Sequence, residues 1–221
     1  MKQFSPNLAV LPPAQQAIWK HLSHSVPTDF VLYGGTSIAL RLGHRASVDF
    51  DFFSSEAFQP GELAQKLHLL GTMERIQSSA NTLTVLVGSG EPVKLSFFGN
   101  LSIGRVEEPE RPIETTLQCA SLLDLAATKL KVVHDRAESK DYLDIVALLS
   151  CGLDLSRMLG AARALYGEVF NPTMTLKALT YFKDGDLPAL PEAAKQLLVR
   201  AAADVDRITD VSRKSDRLSS S

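Results

Sequence analysis

The chain has 221 residues, 45% apolar and 22% charged, with a formal net charge of −2. That balance suits one sizeable domain, or a core with a smaller appendage, and argues against disorder. The near-neutral charge advertises no global field for nucleic acid. Cys119 and Cys151 lie in apolar surroundings without CxxC or Cys/His spacing, so they read as small core residues of a reducing compartment.

Pro6, Asn7, Pro12 and Pro13 interrupt any signal-peptide core, and no apolar run approaches the roughly 20 residues of a bilayer span. A cytoplasmic protein without a membrane partner is expected. Ala14 to Ser25 carries Ala17, Ile18, Trp19 and Leu22 at helical spacing. His21 and His24 lie three apart there, but no third ligand is spaced to join them. Phe30 to Tyr33 is a short apolar run ending at Gly34 and Gly35, which suits a buried strand, and Thr36 to Gly43 returns to helical spacing.

From Val48 to Phe53 the residues alternate. Val48, Phe50 and Phe52 share one face, and Asp49, Asp51 and Phe53 share the other. A helix follows from Pro60 and is closed by Gly71. Thr82 to Val87 and Pro92 to Phe98 read as strands joined by Gly88, Ser89, Gly90 and Glu91. Asn100 to Ile113 is a charged crossing segment. Helical patterns then occupy Ser121 to His134, Ser139 to Ser150, Leu155 to Tyr166, Thr173 to Phe182 and Pro191 to Ile208.

The glycine turn and the paired aspartates carry the chemistry. Nucleotidyl transfer asks the protein chiefly to position phosphates and hold Mg²⁺ through oxygen ligands, and two carboxylates on one strand face could do that. Gly34 and Gly35 would admit a close backbone approach, Thr36 could donate its hydroxyl, and the following helix points its positive end at an anion. A lone DxD pair is most often just the solvated face of an edge strand. Lys129 lies on the apolar face of its helix with Leu125 and Val133, where it either snorkels outward or serves a polar site. Asp141 and Asp144 share a helix face, and Lys140 with Asp144 is an i,i+4 pair.

Gly34, Gly35, Thr36, Arg45, Ser47, Asp49 and Asp51 match a GG(T/S) turn followed by R-x-S-x-D-x-D. Asp124, Lys129, Leu130, Arg136, Lys140, Asp141 and Asp144 match D-L-x-A-x-K-L followed by R-x-x-x-K-D-x-x-D. In both segments the chain resembles the AbiEii/AbiGii toxin family within the DNA polymerase β-type nucleotidyltransferases. The resemblance implies that Asp49 and Asp51 bind Mg²⁺, and that Gly34, Gly35, Thr36, Arg45 and Ser47 bind the nucleotide. It implies that Lys129 reaches the phosphates and that Asp141 has a catalytic role. It further implies a toxin that moves a nucleotide from an NTP to a hydroxyl of RNA, tRNA or protein, with a cognate antitoxin as partner. Relatives tend to read K-(L/I)-D where this chain has Lys94, Leu95 and Ser96, so on this alignment the usual third carboxylate is missing; the readings left open are that Asp141 or another carboxylate supplies its function, that the strand aligns differently, or that the chain is an impaired NTP-binding protein acting through a partner. Arg41, Arg45 and Lys94 could form a basic rim for an acceptor.

The expected fold is α/β, a polymerase β-like core of mixed, mostly antiparallel sheet with flanking helices. The expected divisions are a nucleotidyltransferase core over 1–113, a helical region closing the cleft over 114–211, and a disordered tail over 212–221.

Overall fold

The computed structural model describes residues 1–88 and 90–220; Ser89, expected in a turn, and Ser221, expected in the tail, lie outside the described residues. In chain order the elements are β1 (Gln3–Phe4), α1 (Pro13–Ser25), β2 (Val31–Tyr33), α2 (Gly34–Leu42), β3 (Phe50–Phe53), α3 (Pro60–Leu67), β4 (Met73–Ser79), β5 (Thr82–Val87) and β6 (Val93–Phe98). There follow β7 (Arg111–Pro112), β8 (Gln118–Cys119), α4 (Leu122–Val132), α5 (Ser139–Ser150), α6 (Leu155–Tyr166), α7 (Pro172–Ala178) and α8 (Glu192–Ala203). The chain divides into two units: residues 1–121 with the segment from Ser215 onward, and Leu122–Lys214.

The first unit is built on a six-stranded sheet in the order β4-β5-β6-β3-β2-β8. β3 runs parallel to β6 and β2 parallel to β8, and the remaining pairs are antiparallel. The expected mixed, mostly antiparallel α/β fold is therefore present. Period-two alternation sends Leu83, Val85, Val93, Leu95, Phe97, Phe50 and Phe52 to one buried face, where they join Trp19 and Leu22 of α1 and Leu63 and Leu67 of α3 in one apolar cluster. Trp19 stacks on Phe50 with ring centroids 6.1 Å apart, and Phe52 on Phe97 at 5.0 Å. The opposite face presents Tyr33, Asp51, Ser96 and Thr84 in one row of neighbouring strands.

Pro13 opens α1, where its missing N–H costs nothing. Gly43, in the left-handed region at φ 65°, ends α2 with its N–H on the Ala39 carbonyl at 2.8 Å. β3 begins one residue later than Asp49, and Val48, expected on the buried face, is 51% exposed. The cause is local: Ser47 N–H bonds the Val10 carbonyl and the Gln15 amide bonds the Val48 carbonyl, so loop contacts hold this segment. The two-residue strands β1, β7 and β8 are too short for periodicity to announce them.

The tail differs from the disorder its polarity suggests. Arg105 N–H meets the Ser215 carbonyl at 2.8 Å, its guanidinium donates to the carbonyls of Arg217 and Ser219 at 2.6 and 2.5 Å, and Leu218 is 1% exposed. A buried arginine aimed at backbone oxygens is invisible to composition.

In the second unit α4 packs on α5 and α6, and α5 on α8. α7 stops at Ala178, short of the expected Phe182, and α8 stops at Ala203, where Asp204 and Asp206 break the apolar pattern. No single helix among the described residues is long and apolar enough to cross a membrane.

Candidate active site

The turn between β2 and α2 is tied to the aspartate strand. Tyr33 pairs directly with Asp51 across antiparallel strands, and Gly34 follows at φ 71°. A Cβ added at Gly34 would lie 2.7 Å from Asp51 Oδ2. Glycine is thus required twice, once for backbone conformation and once for room beside the carboxylate.

Thr36, 2% exposed, donates its single hydroxyl proton to the Asp49 carbonyl in a very short hydrogen bond. The Ser47 hydroxyl, 2.7 Å away, must then donate to Thr36. This clasp fixes the chain where it enters β3. The Thr36 hydroxyl, expected on the triphosphate, spends its proton inside the protein, while the unpaired N–H groups of the first turn of α2 remain suited to an anion. Arg45 is half-buried, with one guanidinium nitrogen 2.9 Å from the Ala46 carbonyl.

Asp51 is half-buried, and the Asp49 side chain is 41% exposed with Oδ2 3.6 Å from Lys94 Nζ. Ser96 stands opposite Asp51 on β6. Among the described residues no group of three or more His, Cys, Asp or Glu side chains converges on a metal. Two carboxylates on one face nevertheless fit Mg²⁺, which keeps waters and phosphate oxygens as its other ligands, and the space that a Cβ at Gly34 would fill leaves Asp51 Oδ2 free of crowding. Arg41 is no part of a rim. Its side chain, 5% exposed, bonds the Ala120 carbonyl at 2.9 Å, pairs with Glu110 and lies 4.2 Å from the Phe4 ring centre.

In the second unit, Lys129 of α4 neither snorkels nor stands free. Its ammonium lies 2.7 Å from Asp141 Oδ1 and 2.7 Å from Asp144 Oδ2, both fully buried on α5. Arg136 adds a bond to Asp141 Oδ2 at 2.8 Å. Burial alone would raise the Asp141 carboxyl, but Lys129 and Arg136 outweigh it and hold the group below its ordinary range. Two of the three Lys129 N–H donors are engaged in this way, and one remains for another anion.

The family model described as nucleotidyl transferase AbiEii toxin of type IV toxin-antitoxin systems matches residues 18–211. The chain belongs to this family. It is a toxin-type nucleotidyltransferase by membership, and the family implies a nucleotide substrate and a cognate antitoxin. An uncharacterised protein of Aquifex aeolicus is 29% identical over 173 residues, covering 77% of this chain and 82% of its own. Two solved structures share the fold. An H. pylori protein described as a nucleotidyltransferase has a TM-score of 0.57 at 19% identity, covering 86% of this chain and 90% of its own. MenT4, a nucleotidyltransferase toxin of Mycobacterium tuberculosis, has 0.58 at 17%, covering 88% and 87%.

Three features escaped the sequence. Thr84 pairs with Ser96 and so continues the Asp51 row, which the Thr82, Thr84, Leu86 alternation of β5 could have signalled. The Lys94–Asp49 contact needed the β3–β6 register, and the Lys129 partners needed the packing of α4 on α5.

Proposed function

We propose that the chain is a Mg²⁺-dependent nucleotidyltransferase, moving a nucleotide from an NTP to an acceptor oxygen, expected as a hydroxyl of RNA, tRNA or a protein, with release of pyrophosphate. The observation that carries this reading is the approach of the Gly34 backbone to Asp51: a Cβ there would come within 2.7 Å of Oδ2, so a helix-opening glycine turn and a paired-carboxylate strand are built as one piece.

Asp49 and Asp51 would hold the Mg²⁺, which when bound supplies neutralisation of phosphate charge. Gly34 and Gly35 let phosphate oxygens approach the N–H groups that open α2, where the helix dipole favours an anion. The Thr36–Ser47 clasp keeps Asp49 in register with that turn. Arg45 and Lys129 would add positive charge for the triphosphate, Lys129 as a point charge through its remaining N–H.

Ser96 favours a second reading, an NTP-binding protein without turnover. A serine cannot take the place of a carboxylate base, and Asp141, held in ionised form by two cations, is a poor proton acceptor. The test incubates the protein with each labelled NTP, Mg²⁺ and total RNA or total protein, beside an Asp49→Ala/Asp51→Ala variant. Transfer that disappears in the variant supports the reading; transfer that survives the double substitution removes the metal-site assignment. Mg²⁺-dependent NTP binding without any transfer favours the second reading.

A further inference from the structure

Lys94 is rooted inside the sheet. It pairs with Leu86 on β5, and the β3–β6 register that sets Phe50 against Leu95 brings Asp49, one residue before β3 begins, beside it. Val93, Leu95 and Phe97 turn to the core, so period-two alternation turns Lys94 to the face that carries the two aspartates. Its ammonium stops 3.6 Å from Asp49 Oδ2, too far for a hydrogen bond, and it donates none among the described residues. All three of its N–H groups are therefore uncommitted.

Stability does not explain the contact. The two side chains are 46% and 41% exposed, and an ion pair this open adds little to folding. Lys129, buried and 2.7 Å from each of two carboxylates, shows what a fixed lysine looks like in this chain. Lys94 instead places one loosely held positive charge at a carboxylate assigned to the metal. Both roots are held: the Asp49 carbonyl accepts the Thr36 hydroxyl proton, and β6 is paired on both edges, with β3 and β5. The ammonium, on its flexible four-carbon stem, can leave Asp49 by side-chain rotation alone.

We propose that Lys94 is the stand-in cation of the metal-free site: its ammonium neutralises Asp49 until the metal is bound, then turns to a phosphate oxygen of the NTP. The inference rests on the Asp49–Asp51 metal assignment above and adds to it a residue that couples metal binding to nucleotide binding. An ammonium and a divalent ion repel one another at one carboxylate, so Lys94 gives up Asp49 Oδ2 when the metal is bound. Its charge is then released within one side chain's reach of the platform, and a compact ammonium with three donors suits a phosphate oxygen. The coupling has a fixed sign. Lys94 opposes metal binding when no nucleotide is present and favours nucleotide once the metal is in place.

The test uses the full chain and Mn²⁺, which takes the same carboxylate and water ligands as Mg²⁺ and whose free-ion electron paramagnetic signal reads weak binding. Without nucleotide, Lys94→Met should bind Mn²⁺ about fivefold more tightly than the wild type, and Lys94→Arg, which keeps the charge, should stay close to the wild type. The gap between Lys94→Met and wild type should narrow as salt rises from about 0.02 M to about 0.5 M, because exposed charges are screened. At saturating Mg²⁺ the same Lys94→Met protein should bind NTP about tenfold more weakly by calorimetry, the scale of one charge-assisted contact. A gain for one ligand and a loss for the other in one protein cannot come from misfolding. Equal or weaker Mn²⁺ affinity in Lys94→Met, or unchanged NTP affinity, overturns the inference; if Asp49→Ala/Asp51→Ala still abolishes Mn²⁺ binding, the metal-site reading stands. Mn²⁺ binding that survives that double substitution overturns both.

Discussion

Ser96 stands directly opposite Asp51 on the neighbouring parallel strand. Its side chain there is a neutral hydroxyl. Replacing Ser96 by Asp would put two carboxylates on adjacent strands, which destabilises by about 0.2–1 kcal/mol. We predict that Ser96→Asp lowers Tm in chelator, and that Mg²⁺ raises the Tm of the variant more than that of the wild type. Thermal melts with and without Mg²⁺ decide this; equal Mg²⁺ responses would contradict a metal bound at Asp51.

Gly34→Ala should be costly for two reasons that a melt and an activity assay separate. The φ of 71° places alanine in the left-handed region, a strain of about 1–3 kcal/mol. The new methyl would also meet Asp51 Oδ2 at 2.7 Å, so activity should fall further than the loss of folded protein explains. Gly71, at φ 109° with open space around it, is the control: Gly71→Ala should destabilise and leave turnover intact.

The Thr36 clasp makes a smaller claim. Thr36→Val keeps the shape, removes the proton given to the Asp49 carbonyl and strands the buried Ser47 hydroxyl, a loss of about 1–3 kcal/mol. Denaturant unfolding should show it. A Thr36→Val protein of wild-type stability would mean that the clasp holds nothing.

Lys129→Met leaves Asp141 and Asp144 buried with one fewer cation, and breaking a buried ion cluster in this way costs about 3–5 kcal/mol. The Lys129→Met/Asp144→Asn double variant, which removes one charge of each sign, should recover part of that loss. If it unfolds no later than the single variant, the two side chains are not coupled.

The same cluster sets a pH dependence. The folded Asp141 carboxyl lies below its ordinary value of 3.8, so its contribution to stability is complete above that value and is lost as pH falls through the lower folded value. Stability of the wild type should therefore decline below about pH 4, and Asp141→Asn should show a shallower decline over the same range. Parallel acid limbs would remove the assigned shift.

Much of the platform was legible because short-range rules govern it. Alternation in Phe50 to Phe53 and in Val93 to Phe98 fixed which residues face the core, and the strand–Gly34–helix order fixed where a phosphate could sit. What stayed hidden depends on long-range packing. Arg41, readable as surface charge, is buried because it bonds the ends of β8 and pairs with Glu110. Lys129 sits among carboxylates that lie 12 and 15 residues away in sequence, so only the docking of α5 on α4 reveals them. The polar tail is ordered by Arg105, more than 100 residues distant.

The most direct test of the central claim is Mg²⁺-dependent NTP binding by calorimetry, comparing wild type with Asp51→Asn, which keeps the shape beside Gly34 and removes the charge. The account predicts NTP binding that requires Mg²⁺ in the wild type and is weakened at least about tenfold in the variant, the scale of one lost charge-assisted contact. Equal affinities, or binding indifferent to Mg²⁺, would contradict it.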